Sequence, residues 1–171
     1  MVTAEQNSER FKPYALDELR AEPLPEWLVD DVLTRGGLGV IYGPSGHGKT
    51  FVTLDLCLSL ATGRPWQGHD TTQAPVVYVS GEGVAGIRVR VDAWERYHGC
   101  QAGAFFVVKE AVSLIDEWEA RAFIDAVGQA SVGPKLIVFD TLARCFGGGD
   151  ENSAQDMGKV IQSVAKIQRE F

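Results

Sequence analysis

The chain has 171 residues, 45% of them hydrophobic and 23% charged, with a net charge of −7. That balance fits one globular domain and excludes disordered, collagen-like and fibrous chains. No run of about 18 apolar residues lacks a charge or a glycine, so no membrane span is read, and the opening MVTAEQNSERFK lacks the apolar centre of a signal peptide.

Residues 1–35 are polar, with Pro13, Pro23 and Pro25, and are read as a lead-in in which Trp27, Leu28 and Val29 clip onto the core. The core domain is read as residues 36–171. Residues 38–42 (LGVIY), bounded by glycines, are expected to form a buried strand. A glycine-rich turn leads to an apolar helix over residues 49–61, with Gly63 just past its end. Residues 76–80 (VVYVS) read as a second buried strand. A helix over residues 84–98 carries Val84, Ile87, Val91 and Trp94 on one face and stops at Gly99.

Residues 105–108 form a shorter strand. Asp116 can cap a helix running to about residue 130, carrying Trp118, Phe123, Ile124 and Val127. Trp94 and Trp118 are both expected in the core. Residues 136–140 (LIVFD) are another buried strand. Beyond Gly147, Gly148 and Gly149, Ser153 can cap a last helix, with Asp156 three residues on and a stripe of Met157, Val160, Ile161, Val164 and Ile167. Apolar strands alternating with helices specify an α/β fold: a mainly parallel sheet with helices on both faces.

The string Gly43-Pro44-Ser45-Gly46-His47-Gly48-Lys49-Thr50 fits G-x-x-x-x-G-K-[ST] between a strand and a helix. Glycines let several backbone N–H groups converge on one anion, and the helix N-terminus adds partial positive charge. Phe51 completes the candidate nucleotide-binding stretch. Lys49 is placed to reach the β and γ phosphates of ATP and Thr50 to ligate Mg²⁺. Asp140, ending its strand after four apolar residues, is placed to hold the metal through water.

Glu82 follows the strand in Tyr-Val-Ser-Gly-Glu and has two readings. It is either the acid that deprotonates an attacking water or a helix-start acid favoured by the dipole. Thr141 occupies the position after Asp140, where a rival acid would stand. Arg88 and Arg90 fit a solvated helix face or a nucleotide contact; Arg144 fits a phosphate, a partner or neither. His47 is expected to point outward from the loop. His69 and His98 lack neighbours at metal-ligand spacing. Cys57, Cys100 and Cys145, without a C-x-x-C pair, read as reduced thiols and imply a cytoplasmic location. The acidic balance makes an isolated domain a poor generic nucleic-acid binder.

GPSGHGKT, YVSGE and LIVFDTLAR together resemble the RecA-like ATPases of the RepA hexameric helicase type, often encoded by phages, prophages and plasmids. The resemblance spans residues 27–171. It implies a RecA-like phosphate-loop ATPase fold and ATP hydrolysis with Mg²⁺. Lys49 and Thr50 would act on the phosphates and metal, Glu82 on the water, and Asp140 as the outer metal carboxylate. It implies a replication or recombination role, a ring of subunits, usually six, with ATP or ADP between neighbours, and single-stranded DNA passing near residues 147–152. It also implies a further core strand with a γ-phosphate sensor and an arginine reaching into a neighbour's site. The chain reaches Phe171 before either, so a C-terminally truncated domain is expected. A nucleotide-binding module without turnover and a small-molecule phosphotransferase remain as alternatives.

Overall fold

A computed structural model describes residues 12–81 and 83–171. In chain order the elements are α1 (Leu16–Ala21), β1 (Trp27–Val29), β2 (Leu33–Thr34), α2 (Lys49–Thr62), β3 (Val76–Ser80), α3 (Val84–His98) and β4 (Phe105–Val108). They continue with α4 (Glu117–Gln129), β5 (Leu136–Asp140), a 3-10 turn (Leu142–Phe146) and α5 (Ala154–Glu170). The strands β4, β3 and β5 form a parallel sheet in that order, with Tyr78 opposite both Val107 and Val138, and Ser80 opposite Asp140.

β3 is the central strand, and all its residues are buried. Alternation sends Val76 and Tyr78 into one core, against Leu54, Cys57 and Leu60 of α2, Ile87 of α3, and Leu28 and Val29 of β1. Val77 and Val79 enter the other, against Phe123, Ile124 and Val127 of α4 and Val160 and Ile167 of α5. Two-sided burial explains why β3 reads as a continuous apolar run. The chain steps from β3 outward to β4 and then back past β3 to β5. Right-handed crossovers in opposite directions put α3 and α4 on opposite faces. The carboxyl ends of β3 and β5 therefore flank a switch point, where an open α/β sheet places its ligand crevice.

Local signals act as expected at the helix ends. Gly63 and Gly99 close α2 and α3 in the left-handed conformation, at φ 70° and 65°. The Asp116 carboxylate accepts from the Trp118 and Glu119 N–H groups, and the Ser153 hydroxyl from that of Asp156.

Three expectations are corrected. Residues 38–42 are neither a strand nor buried: Val40 is 69% exposed and Tyr42 90%. A strand exists only through its neighbour. Among the described residues the outer edge of β5 pairs with nothing, and residues 38–42 make no backbone hydrogen bond. The segment's entrance is held by Gln168, whose side-chain amide donates to the Gly37 carbonyl at 3.0 Å. Trp118 lies outside the core at 76% exposure. It sits five positions before Phe123, more than a third of a turn off the face that α4 buries. Ile161, also exposed, drops out of the α5 stripe.

Candidate nucleotide site

Gly48 precedes α2 at φ 78°, and Gly46 sits at φ 77°. No atom lies within 4 Å of a Cβ built at either position, so glycine is required there by dihedral angle and not by space. The loop made of Gly43, Pro44, Ser45, Gly46 and His47 is exposed and turns into α2 without any side-chain cap. The first N–H groups of α2 are thus left for an anion. His47 is exposed, as expected, with Nδ1 3.0 Å from the Ser45 carbonyl. The Lys49 ammonium folds back onto the loop, donating to the carbonyls of Gly43 at 2.8 Å and Pro44 at 2.9 Å.

Thr50, one residue into α2, donates its hydroxyl to Asp140 Oδ2 at 2.8 Å. Asp140 lies two residues beyond Val138 on β5, so alternation turns it to the α2 face of the sheet. Tyr78 reaches the same oxygen from β3 by a short hydrogen bond. Burial, followed by the bond to Asp140 and its charge, raises the Tyr78 phenol far above its ordinary pKa. The Cys57 thiol is raised by burial and then by Asp140, and Cys145 is raised mainly by burial. Asp140 has no ion-pair partner among the described residues. A carboxylate and a hydroxyl side by side are hard oxygen donors that fit Mg²⁺.

Glu82 lies outside the described residues. Its neighbour Gly81 donates its N–H to the Asp140 carbonyl at 2.7 Å. Arg144, on the 3-10 turn, packs its stem over Gly81: a Cβ on that glycine would meet the Arg144 Cβ at 2.6 Å. Thr141 stands half-buried between Asp140 and the turn. Arg88 points into solvent and faces Asp92 at 3.9 Å. Arg90 instead lies over the ring of Phe51, its guanidinium 4.8 Å from the centroid, which ties α3 to the first turn of α2. A cavity of about 620 Å³, lined by Glu26, Arg35, Pro75 and Lys135 among others, opens at the opposite end of the sheet and takes no part in this site.

The structure thus joins Lys49, Thr50, Asp140 and Gly81 and leaves Arg88 apart. Sequence reasoning missed Tyr78 as a member of the site. Its signal was a hydroxyl-bearing ring at the centre of an otherwise valine-and-serine strand, since a buried Tyr O–H needs a partner.

A family profile for the AAA domain matches residues 5–171. The chain belongs to the AAA domain family. No curated protein matches the chain. Membership agrees with the three-stranded parallel sheet flanked by helices and with a nucleotide-binding, ATPase-like site. Among the described residues no helix is long and apolar enough to cross a membrane.

Proposed function

We propose that this AAA domain binds ATP at the Gly43–Thr50 loop and hydrolyses it. The observation that carries the reading is the contact between the Thr50 hydroxyl and the Asp140 carboxylate at the foot of the loop. Loop N–H groups take the phosphate oxygens, and Lys49 exchanges the Gly43 and Pro44 carbonyls for the β and γ phosphates. Thr50 and Asp140 would hold Mg²⁺, which when bound would neutralise phosphate charge. Glu82 accepts the proton of a water that attacks the γ-phosphorus in line. The bond to the bridging oxygen breaks, and ADP and phosphate leave.

The motif resemblance supports a finer reading: a RepA-type replication or recombination ATPase that works in the cytoplasm. Its subunits form a ring, and single-stranded DNA passes by residues 147–152. With Asp150 and Glu151 in that loop and a net charge of −7, DNA contact depends on the assembled ring and not on one domain.

A second reading, nucleotide binding without turnover, is favoured by one feature: among the described residues nothing pairs with residues 38–42, directly before the loop. ATP turnover measured with and without single-stranded DNA separates the two. Turnover that disappears in Glu82→Gln while nucleotide binding persists supports hydrolysis. A wild-type chain that binds nucleotide and never turns it over leaves the binding module.

A further inference from the structure

Asp140 is gripped from two sides. Thr50 donates to Oδ2 from α2, and Tyr78 donates to the same oxygen from the central strand. Among the described residues Oδ1 accepts no hydrogen bond. An ionised carboxylate has lone pairs on both oxygens, so donors concentrated on one oxygen leave the other for a different partner. The grip follows from register. Tyr78 stands opposite Val138, and Asp140 is the next residue of β5 on that face, within diagonal reach of a long side chain.

The Tyr78 ring has no freedom to release its hold. It is fully buried, packed among Leu54, Cys57 and Ile87, and tilted against Phe105 with centroids 5.9 Å apart. Core packing thus fixes where the hydroxyl lies, and the hydroxyl fixes where the carboxylate lies. Thr50, acting as donor to Asp140, keeps its own lone pairs for a cation.

We propose that Tyr78 is a positioning residue for the metal end of the site: by holding Asp140 through Oδ2 it presents Oδ1 toward a divalent cation's water shell beside Thr50. This rests on the metal-dependent nucleotide site proposed above and adds a residue to it. Tyr78 touches neither nucleotide nor metal; it acts through Asp140. Outer partners of metal-holding carboxylates typically shift metal affinity by about 10–100-fold when removed.

The test is Tyr78→Phe in the full chain, which keeps the ring and deletes the hydroxyl. Binding of a fluorescent non-hydrolysable ATP analogue is measured in EDTA and then as a function of Mg²⁺. The expected result is a Mg²⁺ midpoint raised about tenfold or more, with affinity in EDTA unchanged. Val79→Ala, on the other face of the same strand, is the comparator for loss of stability alone and is expected to leave the midpoint in place. In an Asp140→Asn background, Tyr78→Phe is expected to add no further shift. Tyr78→Met, which also fills the ring's place without a hydroxyl, serves if the phenylalanine variant fails to fold.

An unshifted midpoint in a folded variant overturns the inference and leaves the metal site standing. A shift shared by Val79→Ala overturns it as well. A wild-type chain whose nucleotide binding ignores Mg²⁺ overturns the metal site and the inference together.

Discussion

The hydroxyl of Thr50 donates to the carboxylate of Asp140 at 2.8 Å, joining the phosphate loop's helix to the end of β5 across 90 residues of sequence. This bond makes the loop and the sheet edge one unit. Asp140→Asn is expected to weaken Mg²⁺-supported nucleotide binding by about 10–100-fold and to leave metal-free binding nearly as it was. Isothermal titration with and without Mg²⁺ reads the difference.

Lys49 spends its charge on two loop carbonyls when no phosphate is present. Hydrogen bonds from a charged group are worth about 1.5–3 kcal/mol each. Lys49→Ala is therefore expected to raise the nucleotide Kd by about tenfold or more. The unliganded chain is expected to lose less than the nucleotide-bound one, because both loop bonds are exposed and water replaces them. Fluorescence titration and thermal melting of the same sample check both halves.

Gly81 fits only because it has no side chain. A Cβ there would lie 2.6 Å from the Arg144 Cβ and 3.4 Å from the Asp140 carbonyl oxygen. Gly81→Ala is expected to cost about 1–3 kcal/mol and to displace the 3-10 turn. Adding Arg144→Gly removes the nearer clash, so the double variant should be more stable than Gly81→Ala alone. Denaturant midpoints of the wild type and the two variants decide it.

The cysteines divide by burial. Cys57 and Cys145 are fully buried and their thiols are raised by desolvation, whereas Cys100 is half-buried. A thiol reacts through its thiolate. An aromatic disulfide reagent at pH 8 is expected to label Cys100 first and the other two only after unfolding. Mass spectrometry of the labelled peptides reports the order.

Asp156 accepts from the Lys159 ammonium at 2.9 Å and from the Asp150 N–H at 3.3 Å, and these hold its carboxyl below the ordinary value. A lowered folded-state pKa gives stability that is present above the unfolded value and lost as pH falls through the folded one. The wild type is expected to exceed Asp156→Asn in stability at neutral pH, and the gap should close below about pH 4. Urea melts across that range measure the closure.

What was legible in the sequence was local. The caps at Asp116 and Ser153, the stops at Gly63 and Gly99, and the apolar runs of β3 and β5 each carry their instruction within a few residues. The loop from Gly43 to Thr50 was legible for the same reason. The bond from Tyr78 to Asp140 was not, because it depends on the register of two strands separated by two helices and a third strand. Residues 38–42 misled in the opposite sense: their composition suits a strand, but strand formation belongs to a pair. Trp118 misled because a large apolar side chain was counted with a face it misses.

Among the described residues, the segment at 38–42 lacks a strand partner and the outer edge of β5 is bare, which constrains any contact between two copies. Among the described residues, one molecule carries both an exposed apolar stretch at Leu38, Val40 and Ile41 and, on β5, a strand edge without a neighbour. The two do not pair with each other among the described residues. When two such surfaces are satisfied between molecules, the contact is head-to-tail. It closes into a cycle if the rotation allows and otherwise grows without limit.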